Sequence, residues 1–221
     1  MALSPELAIW RRAQRQTLLQ ARQAVPAAVH AAWSASINRL LDAGLGELDG
    51  IAVVGVCWPF KAEFDARHVA ARLRRSGMQT ALPVVRAKGQ SLVFRAWSPG
   101  VAMERGVYGI PVPRDSAVLV PDLLLVPPVG VDDGGFRLGY GGAFFDRTLA
   151  ALHPRPLCIA VGFEINRIPT IYPQGHDIGM DALVTERALQ CTGHSGLEAV
   201  DAQEFGQRLR LLKASRAAIA G

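Results

Sequence analysis

From residue 4 to residue 44 apolar positions recur at helical spacing. Leu7, Trp10, Leu18 and Leu19 mark a first stretch, and Val29, Trp33, Ile37, Leu40 and Leu41 a second that Pro26 is placed to begin. The pattern predicts two helices, the second ended by Gly44 and Gly46. The period then changes. IAVVGVC at 51–57 is an unbroken β-branched run and reads as a buried strand, DARHVAARLRRSG reads as a helix with Val69 and Leu73 on one face, and QTALPVV at 79–85 returns to strand. Strand, helix, strand is a βαβ unit, which implies a parallel sheet.

Further along, a turn at Lys88 and Gly89 leads SLVFRAW into a strand expected to pair antiparallel. Residues 98–118 read as an irregular Pro- and Gly-rich crossing. DLLLVPP (122–128) is a third buried strand, a glycine-dense loop covers 130–142, and FFDRTLAAL is the helix that loop feeds. LCIAVGF (157–163) is a fourth core strand and ALVT (182–185) a short last one. From about residue 197 the tail reads as a basic amphipathic helix packed by one face through Phe205, Leu209 and Leu212. No repeat and no Ser/Gly tract divides the chain. All 221 residues are therefore read as one α/β domain, three-layer α/β/α with a mostly parallel central sheet.

Composition narrows the function classes. Hydrophobic residues make up 50% of the chain and charged ones 19%, enough for a sizeable core and unlike a disordered polymer. The 3 cysteines, Cys57, Cys158 and Cys191, are odd in number and far apart, which argues against a disulfide framework or a Cys-x-x-Cys zinc site. Arginines stand where a secretory signal needs its apolar core, and the most apolar stretch, AVLVPDLLLVPPVGV, is broken by Asp122 and prolines. The expectation is a soluble cytoplasmic protein with no membrane partner. A net charge of +5 favours an anionic ligand. The basic residues near both ends (Arg11, Arg12, Arg15 and Arg22, then Arg208, Arg210, Lys213 and Arg216) lack interleaved aromatics, so a nucleotide or polyanionic small molecule is expected rather than nucleic acid.

The chemistry concentrates in VDDGGFRLGYGGAFFDR, residues 131–147. Glycines at 134, 135, 139, 141 and 142, between a buried strand and a helix start, let backbone N–H groups approach a phosphate. The spacing matches neither a P-loop nor an exact G-x-G-x-x-G. Arg137 inside the loop can fork onto phosphate oxygens, and Asp146 at its end can hold a magnesium ion bridging them. A second carboxylate from another loop is then required. Asp177, in YPQGHDIGMDAL, is the first candidate and Asp181 the alternative.

RLGYGGAFFDR resembles the signature of the 5-formyltetrahydrofolate cyclo-ligase (5,10-methenyltetrahydrofolate synthetase) family, and the likeness runs in order through about residues 10–186. It takes in the basic first helix, WPFKAEFD with Glu63 and Asp65, ALPVV, LVFRAW, YGIPVP, DLLLVPPVGVD, and HD ahead of DALVTE. The resemblance implies an α/β/α enzyme that uses ATP and Mg²⁺ to convert 5-formyltetrahydrofolate to 5,10-methenyltetrahydrofolate, releasing ADP and phosphate. The formyl oxygen would take the γ-phosphoryl group, N10 would close the ring, and phosphate would leave. It implies ATP contacts by Arg11, Arg15, Arg137, Leu138, Gly139, Tyr140, Gly141, Gly142, Ala143, Phe144 and Phe145. Folate would meet Trp58, Glu63, Tyr140, Gly141, Gly142, Ala143 and Phe144. Magnesium would meet Asp146 and Asp177, and Arg137 and Asp146 would act in catalysis.

Each residue also has a plainer reading. Trp58 suits core packing at a strand end, Glu63 beside Asp65 suits a helix cap, and the N-terminal arginines suit a solvated basic face. Counting back from Arg22 also brings Gln14, next to Arg15, into the family's arginine register. Ala143, Phe145 and Val112 depart from the family's usual Gly, Tyr and Glu, which also fits a non-catalytic folate- or nucleotide-binding relative or a ligase for another substrate. An alanine at 143 costs little if its φ is negative and about 1 kcal/mol or more if positive. Residues 187–221 fall outside the resemblance and are expected to be largely helical.

Overall fold

A computed structural model describes residues 3–46 and 48–220. The two N-terminal helices form as the periodicity requires: α1 spans Pro5–Gln23, started by the Ser4 side chain accepting from the Leu7 N–H, and α2 spans Ala27–Leu45. Gly44 does not end α2. It lies inside the helix, where a Cβ would sit 2.8 Å from the Phe205 ring, so the glycine lets a second helix approach.

The remaining elements are β1 (Val53–Gly55), α3 (Arg67–Arg75), β2 (Gln79–Val84), β3 (Val93–Ala96), β4 (Met103–Arg105), β5 (Pro111–Pro113), β6 (Val118–Leu119), β7 (Leu123–Val126), β8 (Gly130–Asp132), β9 (Arg137–Leu138), α4 (Phe144–Ala151), β10 (Leu157–Val161), β11 (Arg167–Ile168), β12 (Ala182–Val184), β13 (Leu189–Gly193), β14 (Gly196–Val200) and α5 (Ala202–Ala220). The main sheet runs β14-β13-β12-β10-β7-β1-β2-β3-β6. Its centre, β12 to β2, is parallel, and antiparallel strands extend it at both edges.

Side-chain alternation divides the core into two layers. Val54, Leu123, Leu125, Ile159, Val161 and Val184 meet Ile37 and Leu41 of α2, Val69 of α3, and Phe205 and Leu209 of α5. Leu124, Val126, Cys158, Ala160 and Leu183 point the other way, towards Leu149, Phe144 and Phe145 of α4. Helices thus cover both faces, the expected α/β/α arrangement. Asp122, the one charge in the apolar stretch, accepts from the Ala52 and Val53 N–H groups at 2.9 Å each and ties β1 to β7.

The structure corrects three details. Residues 98–118 hold a short antiparallel hairpin, β4 with β5, and run into the edge strand β6. ALVT is not the last strand, because a β13–β14 hairpin follows it. The final helix begins at Ala202, with residues 196–200 in β14. The β13 and β14 strands are short and interrupted by Gln190, Thr192, Gly193, Gly196 and Glu198, so apolar periodicity leaves them faint. Among the described residues no helix is long and apolar enough to cross a membrane.

Candidate active site

Chain order places the site. From β1 the sheet grows one way through β2 and the other way through β7, β10 and β12, so the topology switches between β1 and β7. Ligands of open parallel sheets bind outside the carboxyl ends of the strands at such a point. A cleft of about 470 Å³ opens there, next to Cys57 and Trp58 after β1 and Pro127 after β7. Its walls are the glycine loop, the turn around Lys61, the loop bearing His176 and Asp177, Arg11 and Arg15 of α1, and the tip of the β4–β5 hairpin with Tyr108 and Val112.

The glycine loop leaves β9, which pairs antiparallel with β8. Gly141 has φ +93°, a conformation side chains rarely adopt, and a Cβ on Gly142 would come within 2.6 Å of the Phe144 ring. Arg15 donates from Nε to the Gly139 carbonyl (2.7 Å) and is half-buried, and Arg147 holds the Gly142 carbonyl. Arg15, not Gln14, is therefore the residue that reaches the cleft. No side chain caps α4, so its first N–H groups are available to an anion. Leu138 borders the cleft and is also buried in a cluster with Leu18, Val129 and Ile171.

Ala143, the residue before α4, has φ 49° and ψ 29°. The positive φ is the costly case. Ala143→Gly is expected to stabilise the protein by about 1 kcal/mol, raising the melting temperature by about 2–4 °C in thermal unfolding.

Arg137 is 7% exposed, and its Nη2 lies 3.1 Å from Asp146 Oδ1, while its Nε and Nη2 make no hydrogen bond. Its guanidinium stands 5.4 Å from the Phe145 ring centroid. A buried fork with unused donors at the wall of a cleft is suited to an anionic ligand. Asp146 also accepts from the Ile178 N–H at 3.2 Å. Asp177 lies in the same cleft and is held by both Arg11 nitrogens at 3.2 and 2.6 Å and by the Gln174 N–H at 2.8 Å. Burial alone would raise its carboxyl, but the Arg11 and Gln174 hydrogen bonds outweigh this and hold it below the ordinary aspartate range. Arg11, whose other donors go to the Ile171 and Tyr172 carbonyls, thus orients Asp177.

Asp181 is removed as the alternative second carboxylate. It is buried away from the cleft, accepting from Arg155 Nη2 (2.8 Å), Arg216 Nη1 and Nη2 (2.9 and 2.5 Å) and the Cys158 N–H (2.8 Å). Its work is to clamp α5 to the sheet.

On the β1 side, Glu63 is 5% exposed and accepts from the Phe60 N–H (3.0 Å) and the Tyr140 hydroxyl (2.6 Å). Burial pushes its carboxyl up to about 7, against the opposing pull of Tyr140 and Arg22. Glu63 does not cap the following helix; it is Asp65 that accepts from the first N–H of α3, that of Arg67, at 3.0 Å. Trp58 serves both readings, since it packs edge-on to Trp97 (6.2 Å) beneath the Arg67 guanidinium and also lines the cleft. Cys57 lies beside Glu63, and burial first, then that charge, pushes its thiol up, which leaves it a packing group.

Two participants were given no place in the site by the sequence. Lys61 stands exposed at the mouth, and Arg22 is buried behind Tyr140. A signal for Arg22 was present: with Arg11, Arg15 and Leu18 it occupies i, i+4, i+7 and i+11 of α1, one face of the helix. That face is turned inward, so these arginines are not a solvated basic stripe; Arg12 alone of the four is exposed.

The comparisons agree with this architecture. Residues 8–186 match the model of the 5-formyltetrahydrofolate cyclo-ligase family. The 5-formyltetrahydrofolate cyclo-ligase of Mycolicibacterium smegmatis is 32% identical over 185 residues, covering 78% of this chain and 92% of that protein. Its Escherichia coli K12 namesake is 29% identical over 139 residues, covering 60% and 76%. Among solved structures, the 5,10-methenyltetrahydrofolate synthetase of Aquifex aeolicus superimposes with a TM-score of 0.72 at 22% identity, over 86% of this chain and 96% of that one. The synthetase from Mycoplasma pneumoniae gives 0.68 at 19%, over 80% and 99%. Identities this low carry the fold alone. The match over residues 8–186, together with the Mycolicibacterium relative, places this chain in the 5-formyltetrahydrofolate cyclo-ligase family.

Proposed function

We propose that this enzyme closes 5-formyltetrahydrofolate to 5,10-methenyltetrahydrofolate, using ATP and releasing ADP and phosphate, in the cleft between β1 and β7. The observation that carries the reading is the buried Arg137 fork, with unused donors, beside Asp146 and the uncapped start of α4. These groups suit a triphosphate. The apolar remainder of the cleft, with Trp58 and Tyr108 on its walls, suits a pterin ring, and Glu63 offers a buried carboxylate for that ring's N–H groups.

Magnesium fits the donor set. It binds through one or two carboxylates and completes its shell with phosphates and water, and Asp146 and Asp177 are two hard oxygen donors in one cleft. Among the described residues no group of three His, Cys, Asp or Glu is placed to hold a metal, so a site built without phosphate is not expected. When bound, the ion would neutralise charge on the phosphates during phosphoryl transfer. The chain's own part is positional. Arg137 and the glycine-loop N–H groups hold the phosphates, Arg15 steadies the loop through Gly139, Arg11 aims Asp177, and the β1 side orients the folate so that its formyl oxygen faces the γ-phosphoryl group.

Mixing the purified protein with ATP, Mg²⁺ and 5-formyltetrahydrofolate is expected to give the absorbance rise of the methenyl product. A flat trace with measurable folate binding would favour the non-catalytic reading that Ala143, Phe145 and Val112 leave open.

A further inference from the structure

We propose that Arg22 is a positioning residue that sets the folate side of the cleft by holding Tyr140 against Glu63 and bracing the Lys61 turn. The inference rests on the folate reading above. Arg22 lies in the last turn of α1 and is 2% exposed, yet it makes no contact of its own with the cleft space. Its guanidinium joins three separate segments: Nε donates to the Lys61 carbonyl (3.0 Å), Nη1 to the Pro128 carbonyl (2.8 Å) and Nη2 to the Tyr140 hydroxyl (2.9 Å). These segments follow β1, β7 and β9, so one side chain fixes the relative placement of three loops around the cleft.

The arrangement has a direction. The Tyr140 hydroxyl accepts from Arg22, which leaves its own hydrogen for Glu63 Oε1 at 2.6 Å. Glu63 itself lies 3.7 Å from Arg22, close enough for the guanidinium to compensate a carboxylate otherwise buried without a cation. The Lys61 turn needs support too: Lys61 and Ala62 have φ of 49° and 57°, consecutive left-handed residues that are not glycine. Such strain persists where surrounding contacts over-determine it, and the Arg22 bond to the Lys61 carbonyl is one such contact. A lysine could supply the charge but not the planar fork that reaches three acceptors at once.

The test is a double-mutant cycle read by binding. Dissociation constants for 5-formyltetrahydrofolate and, separately, for ATP are measured by calorimetry on the wild type, Arg22→Lys, Tyr140→Phe and the double variant. Arg22→Lys and Tyr140→Phe are each expected to weaken folate about tenfold, the worth of a hydrogen bond or so, and Arg22→Lys, whose side chain does not line the cleft, is expected to weaken ATP by less than about twofold. Because Arg22 acts partly through Tyr140 and partly through the Lys61 turn, Arg22→Lys is expected to cost clearly less folate affinity once Tyr140 is already Phe than it does in the wild type. Equal loss for both ligands, or the same Arg22→Lys effect in both backgrounds, overturns the proposal. Should Arg22→Lys not fold, Tyr140→Phe decides alone, and unchanged folate affinity in it overturns the proposal as well. Folate binding absent from the wild type would remove the folate reading itself, whereas wild-type binding with unaffected variants removes only the role of Arg22.

Discussion

Asp146→Asn is expected to lower turnover by at least about 100-fold, the scale on which one preorganised charged contact acts at a transition state. The substitution keeps the acceptor for the Ile178 N–H but removes the charge that faces Arg137 at 3.1 Å. Arg137 is buried, so the ligand-free variant carries a cation without its carboxylate partner, and breaking a buried pair from one side costs about 3–5 kcal/mol. The same deficit is what a triphosphate would fill. ATP is therefore expected to raise the melting temperature of the variant more than that of the wild type, even while turnover is lost. Thermal unfolding with and without ATP, beside the methenyl-product assay, reads both effects. Near-normal turnover would remove Asp146 from the reaction.

Asp181→Ala is expected to act on stability and to spare chemistry. It strips Arg155, Arg216 and the Cys158 N–H of their shared acceptor in one step. Loss of a buried ion-pair centre costs about 3–5 kcal/mol, which lowers the melting temperature of a chain this long by roughly 10 °C. Turnover measured well below that temperature is expected to stay within about twofold of wild type, because Asp181 lies outside the cleft. Limited proteolysis should cut the C-terminal part of α5 first, since Arg216 ties that part to Asp181 while Arg208 still holds the earlier turns to Glu198 of β14. An unchanged melting point would show that Phe205 and Leu209, buried against α2 and the sheet, hold the helix without the clamp.

Local patterning settled much of this protein in advance. Helical spacing wrote α1 and α2, unbroken apolar runs wrote β1, β7 and β10, and the glycine cluster ahead of FFDR marked the loop that lines the cleft. These signals are legible because each depends on residues close in sequence. The β13–β14 hairpin was not legible, because its strands are defined by pairing, β13 with β12 and β14 with β13, more than by their own composition.

The tertiary structure decided the roles of charged residues, whose partners lie far along the chain. Asp177 and Asp181 stand four residues apart and look interchangeable in the sequence, yet one meets Arg11 at the cleft and the other meets Arg155 and Arg216 at the amino ends of β10 and β12. Arg11, Arg15 and Arg22 share a helical face that composition alone reads as solvated, and only the loops that close over α1 make it an interior. Ala143 is a conservative replacement for glycine until its φ of 49° is known. Apolar burial follows period and is written locally, whereas a buried charge is tolerable only beside a specific counter-charge or acceptor, and that pairing exists only once the chain has folded.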